Sequence, residues 1–174
     1  MGEAKRRKAE QRGGAPAPAT PASPAQDRSA AAAPAIVPGK SCGSCTTCCT
    51  VMGVPELKKR PWEPCRHVTP DHGCGIYADR PSGCRTFVCG WLLDSSMGPD
   101  LKPENCHVVF DQKDEQNILA TCDPNYPEAW RAPNVLEFLH RLARAIGPNR
   151  RVILLEKGHT WFVTESSIVP TDTG

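Results

Sequence analysis

Eight cysteines crowd into 48 consecutive residues, and no other feature limits the fold of this chain as much. They are Cys42, Cys45, Cys48, Cys49, Cys65, Cys74, Cys84 and Cys89, while the remaining two of the ten, Cys106 and Cys122, stand alone. Gly and Pro interrupt the same stretch at Gly43, Gly53, Pro55, Pro61, Pro64, Pro70, Gly73, Gly75, Pro81, Gly83 and Gly90. A backbone broken this often cannot build long hydrogen-bonded ladders. Hydrophobic residues make up 39% of the chain and aromatic residues only 6%, so the apolar core is expected to be small. Cross-links through sulfur would then carry part of the fold.

Whether those cross-links are disulfides or metal–thiolate bonds depends on the redox compartment. The N-terminal stretch MGEAKRRKAEQRGGAPAPAT has the basic residues of a secretory signal but none of its apolar run. Ile36-Val37 is the first aliphatic pair after the start, and nowhere does the chain approach the roughly 20 apolar residues of a membrane helix. The expected location is therefore cytoplasmic, with no membrane partner. Thiols there stay reduced, and dense cysteine reads as metal ligation or catalysis rather than a disulfide framework.

Cys42, Cys45 and Cys48 repeat a Cys-x-x-Cys step, which bends the backbone so that sulfurs converge on one centre. The spacing matches the start of a bacterial ferredoxin cluster motif. It equally supplies three corners of a tetrahedral zinc site. Cys49 follows Cys48 directly. Neighbouring side chains tend to point apart, so Cys49 is expected to reach a second centre or to remain a free thiol. The second group is Cys65, Cys74, Cys84 and Cys89, in which Cys74 lies between two glycines that let the backbone come close to a ligand. Eight sulfurs suffice for two tetrahedral sites or for one cubane with spare thiols, and spacing leaves both open. His67 and His72 lie between cysteines and are secondary candidates. Cys106 and Cys122 sit in strand-like patterns and read as small buried hydrophobes. Arg80 and Arg85 flank Cys84, where fixed cations would offset thiolate charge. Tyr77, Phe87 and Trp91 are candidates to shield a centre or to form a small core.

The run from Cys42 to Cys89 resembles the YkgJ-type cysteine-cluster family, described as putative zinc- or iron-chelating proteins with a CxxCxxCC signature. The resemblance lies in CGSCTTCC at 42–49, in Cys65, and in GCGIYADRPSGCRTFVC at 73–89, including Ile76-Tyr77, Arg80-Pro81 and Cys84-Arg85. It covers about 50 of the 174 residues. It implies chelation of zinc or iron, as a single ion or an iron–sulfur cluster, through the eight cysteines Cys42, Cys45, Cys48, Cys49, Cys65, Cys74, Cys84 and Cys89. A related cluster occurs in flagellin lysine methylases, where it is linked to an iron–sulfur centre, but no substrate or cosubstrate motif here carries methylation over.

The expected class is α+β in three parts. Residues 1–40 form a basic, Ala/Pro-rich tail with seven Lys/Arg against three Asp/Glu and six prolines after residue 12, a composition that predicts disorder. Residues 41–98 form a small irregular metal-stapled module. Residues 99–174 form a small α+β segment packing on it, read as strand, strand, helix, strand, strand: HVVFD at 107–111, NILATC at 117–122, an amphipathic helix over 133–146, RVILL at 151–155 and TWFVT at 160–164. No GxSxG, GxxxxGK[ST] or GxGxxG appears, so no catalytic residue is assigned. Metal binding is the expected function. The alternatives are an iron–sulfur redox enzyme or electron-transfer accessory, and a nucleic-acid-interacting protein whose tail, with KRRK at 5–8, makes the contact.

Overall fold

The computed structural model describes residues 35–70 and 72–171. The expectations for residues 1–34, namely disorder, a short basic helix and nucleic-acid contact, lie outside the described residues. Residues 35–40, grouped with the tail by composition, are fastened down. The amide of Val37 donates to the Leu92 carbonyl at 2.9 Å. The Lys40 ammonium donates to the carbonyls of Asp94 and Met97, both at 2.7 Å, and lies 4.7 Å above the Trp91 ring.

The cysteine-rich stretch is built from pieces of two to five residues, as its Gly and Pro content dictates. They are α1 (Thr47–Val51), the two-residue strands β1 (Val68–Thr69) and β2 (Gly73–Cys74), α2 (Ser82–Thr86) and α3 (Gly90–Leu93). β1 and β2 pair antiparallel, Val68 opposite Cys74 and Thr69 opposite Gly73. A short helix α4 (Pro103–Cys106) leads into the larger sheet.

That sheet holds β3 (Val108–Gln112), β4 (Asn117–Cys122), β5 (Arg151–Glu156), β6 (His159–Val163) and β7 (Ile168–Pro170), side by side in chain order. The expected strands and helix all form, and the molecule is α+β. The pairings are antiparallel except β4 with β5, which run parallel from Asn117 opposite Arg151 to Thr121 opposite Leu155. Parallel neighbours need a long crossover, and α5 (Pro133–Ala145) supplies it. β7 goes unread in the sequence. It is three residues long and ends in Pro170, a residue that strands tolerate only at an edge.

Period-2 alternation puts Val108, Phe110, Ala120, Cys122, Val152, Leu154 and Val163 on one face of the sheet. α5 buries Val135, Phe138 and Leu139 against that face, with Phe138 edge-on to Phe110 at 4.9 Å between centroids. Trp91, Leu92 and Met97 from the cysteine-rich stretch join the same core. Gly90 allows this junction: a Cβ there would sit 3.1 Å from Phe110 Cβ and 3.3 Å from its carbonyl oxygen. The residue just before α3, Cys89, is thereby held at the edge of the core.

Candidate metal centre

Each sulfur is positioned by a short local device. Cys42 and Cys45 bracket a turn in which the Cys45 amide donates to the Cys42 carbonyl at 3.0 Å. Within that turn, Gly43 has φ of +56°. α1 carries Cys48 and Cys49, and it is anchored by Thr47 and Val51, four residues apart on its buried face. The Cys65 amide donates to the Cys49 carbonyl at 3.1 Å. Val68 then donates to the Cys65 carbonyl, also at 3.1 Å, and pairs with Cys74, so one hairpin carries both Cys65 and Cys74. Its Gly73 has φ of +81° and lies so near the cysteine turn that a Cβ would approach the Gly43 carbonyl oxygen to 3.0 Å. Cys84 rides on α2, which Glu56 ties to the neighbouring turn by accepting from Ser82 Oγ at 2.9 Å and the Gly83 amide at 3.0 Å.

These devices bring Cys42, Cys45, Cys48, Cys49, Cys65, Cys74 and Cys84 to the wall of one hollow of about 760 Å3, open mouth included. Cys89 does not line it. With Cys42, it packs against the core instead. Met52, Val54, Leu57, Ile76, Tyr77 and Phe87 give the hollow an apolar wall. The charged groups there are Lys59 and Arg80. Among the described residues no carboxylate and no histidine lines it, so His67 and His72 take no part in the wall. Of the aromatic candidates, Phe87 lines the hollow half-buried, Tyr77 is 54% exposed at its rim, and Trp91 belongs to the core. The Arg80 guanidinium lies 3.7 Å above the Tyr77 ring. Arg85 braces this segment from outside, donating to the carbonyls of Arg80 and Ala78.

All ten cysteines are free thiols. Burial pushes the Cys42 thiol up, Cys45 adds to the rise, and Arg80 opposes it. Burial likewise raises Cys84, with further increments from Cys49, Cys65 and Cys74. It raises Cys89 too, with increments from Cys42 and Cys45. Cys49 moves the other way. A hydrogen bond from the Cys48 thiol favours its thiolate, and Lys59 and Arg80 assist. The same bond, together with burial, raises Cys48. Both thiols line the hollow, carried there by the same short helical turn. Cys106 and Cys122 are buried in the core, where desolvation lifts them to about 11 and about 12.

Lys59 is the feature that sequence reasoning missed. It is 9% exposed, and its ammonium donates to the carbonyls of Thr50, Met52 and Arg60, closing the end of α1 beside Cys49 and Cys65. The run KKR at 58–60 holds no sign that the middle cation turns inward.

Soft thiolates beside fixed cations suit zinc or iron and disfavour magnesium or calcium, which take oxygen ligands. The donor chemistry therefore fits a thiophilic metal. Among the described residues, however, no three His, Cys, Asp or Glu side chains already converge closely enough to hold an ion, so ligation would draw the sulfurs inward. No family model, curated protein or solved structure matches this chain, and the resemblance noted above rests on its motif residues alone.

Proposed function

We propose that this protein binds zinc or iron through the cysteines of the 42–89 stretch. The observation that carries this reading is the placing of seven thiols, from α1, the Cys42–Cys45 turn, the hairpin of Cys65 and Cys74, and α2, on the wall of one hollow with two cations and no carboxylate among the described residues. A half-buried set of thiols without a partner has little reason to gather against the cost of withdrawing polar groups from water together. A thiophilic centre supplies the reason, and its binding energy contributes to folding of the surrounding stretch. The protein acts in the cytosol, where such thiols stay reduced.

The apolar wall favours a more specific version, an iron–sulfur centre serving electron transfer, because solvent exclusion and hydrogen bonds to sulfur tune such centres. Anaerobic purification followed by metal analysis and an absorption spectrum separates the two. Zinc gives colourless, redox-silent protein. An iron–sulfur centre gives brown protein with broad visible absorption that bleaches on reduction. Protein that is metal-free, folded and disulfide-paired would falsify the proposal.

A further inference from the structure

We propose that the eight thiols divide into two tetrathiolate centres whose membership crosses the order of the chain: Cys42, Cys45, Cys48 and Cys89 form one, and Cys49, Cys65, Cys74 and Cys84 the other. This rests on the metal-binding reading above and adds to it a ligand assignment that chain order does not give. Grouping by sequence would place Cys49 with the first three cysteines and Cys89 with the last three.

The backbone argues for the exchange at both ends. Cys89 is fixed by α3, whose Gly90 lies directly on β3, and it packs against the core together with Cys42. It does not line the hollow that carries the other seven thiols. Cys49, in turn, is bound to the opposite group. Its carbonyl accepts from the Cys65 amide, and Cys65 connects through Val68 to Cys74. Cys84 reaches the same quarter because Glu56 holds the start of α2.

The quartets meet at Cys48 and Cys49. Successive positions on a helix are turned by about 100°, so the two sulfurs can part toward separate ions. Loaded with zinc, each centre takes one divalent ion in a closed four-sulfur shell and releases the protons of its thiols. Lys59 and Arg80 remain nearby as fixed counter-charges.

The test uses the reduced full-length chain, titrated anaerobically with zinc(II) and read by competition with a chromophoric chelator. Wild type is expected to hold two zinc ions. The double variant Cys42→Ser/Cys89→Ser removes two ligands from one quartet and should keep one zinc at wild-type affinity. The double variant Cys42→Ser/Cys49→Ser removes one ligand from each and should keep none at that affinity, both sites weakening at least tenfold. The reverse pattern overturns the assignment in favour of chain order. Loss of all zinc in one step from both double variants overturns it in favour of a single shared centre. A wild-type chain that binds no zinc and carries no iron when isolated anaerobically is a different result, because it removes the metal-binding reading itself. Circular dichroism checks that the variants fold. If one does not, wild type loaded with one equivalent of zinc is alkylated and its protected cysteines are mapped by mass spectrometry. Joint protection of Cys89 with Cys42, and of Cys49 with Cys65, supports the assignment, and joint protection of Cys89 with Cys65 defeats it.

Discussion

Lys59 ties the end of α1 to the chain that follows it at the edge of the hollow. Lys59→Met keeps an apolar stem but leaves the carbonyls of Thr50, Met52 and Arg60 without their donor. Leaving buried acceptors unsatisfied costs about 1–3 kcal/mol, so urea midpoints of the metal-free chain should fall accordingly, and zinc affinity should fall as well. An unchanged midpoint would show that water replaces the ammonium. The cysteines separate by role in the same way. Cys45→Ser should lower metal content and loosen residues 41–98 together. Cys122→Ser should leave metal content untouched while costing about 1–3 kcal/mol, because it buries a hydroxyl where a thiol sits fully enclosed. Metal analysis alongside denaturation checks the pair, and loss of metal from Cys122→Ser would contradict the division drawn here. The candidate ligands were legible because cysteine carries its chemistry in its type. Lys59 was not, since an inward lysine differs from an outward one only in the fold around it.

At the scale of elements, the tie between Glu56 and α2 makes a pH prediction. Its own backbone amide, then the Gly83 amide and the Ser82 hydroxyl, hold the Glu56 carboxyl below its ordinary value of 4.5. A depressed carboxyl contributes stability that is complete above the unfolded value and lost as pH falls through the folded one. The anchoring of α2 should therefore weaken below pH 4.5, and Glu56→Gln should remove that dependence. Hydrogen exchange at the Gly83 amide, compared between the two proteins in acid, measures it. An identical acid response in both would assign the effect elsewhere. The sequence showed the elements that carry strong periodicity. Val135, Leu139 and Leu142 mark α5 at helical spacing, and the alternation in NILATC marks β4. The β1–β2 hairpin was hidden, because two residues per strand make no period. Its Gly73 comes close to Gly43, a contact between residues far apart in the chain.

The whole molecule joins two kinds of structure through one core. The sheet and α5 bury enough apolar surface to stand by packing, whereas the loops around the hollow have few ladders to hold them. Stripping metal with a chelator should therefore raise hydrogen exchange in α1, β1 and β2 well before β4 and β5. Uniform loss of protection would mean that the cysteine loops and the sheet unfold as one unit. The α+β class was readable from five periodic segments. The path of the chain was not, since nothing in NILATC or RVILL announces that these two strands run parallel. Strands that pair as a hairpin need only the turn between them. β4 and β5 need the return of α5, a dependence set by topology rather than by residue type.

That parallel pair also fixes a sequence of events during synthesis. β3 and β4 emerge first and can zip together at once, but β4 then presents Ile118, Leu119 and Ala120 along an open edge until β5 has left the ribosome. Non-local pairing of this kind is slow, and an exposed apolar edge recruits other chains in the meantime. A chain stopped after residue 146 should therefore sediment as aggregate, and extension through residue 163, which supplies β5 and β6, should restore a soluble monomer. The period of exposure, rather than final stability, would then limit how much of this protein a cell can make.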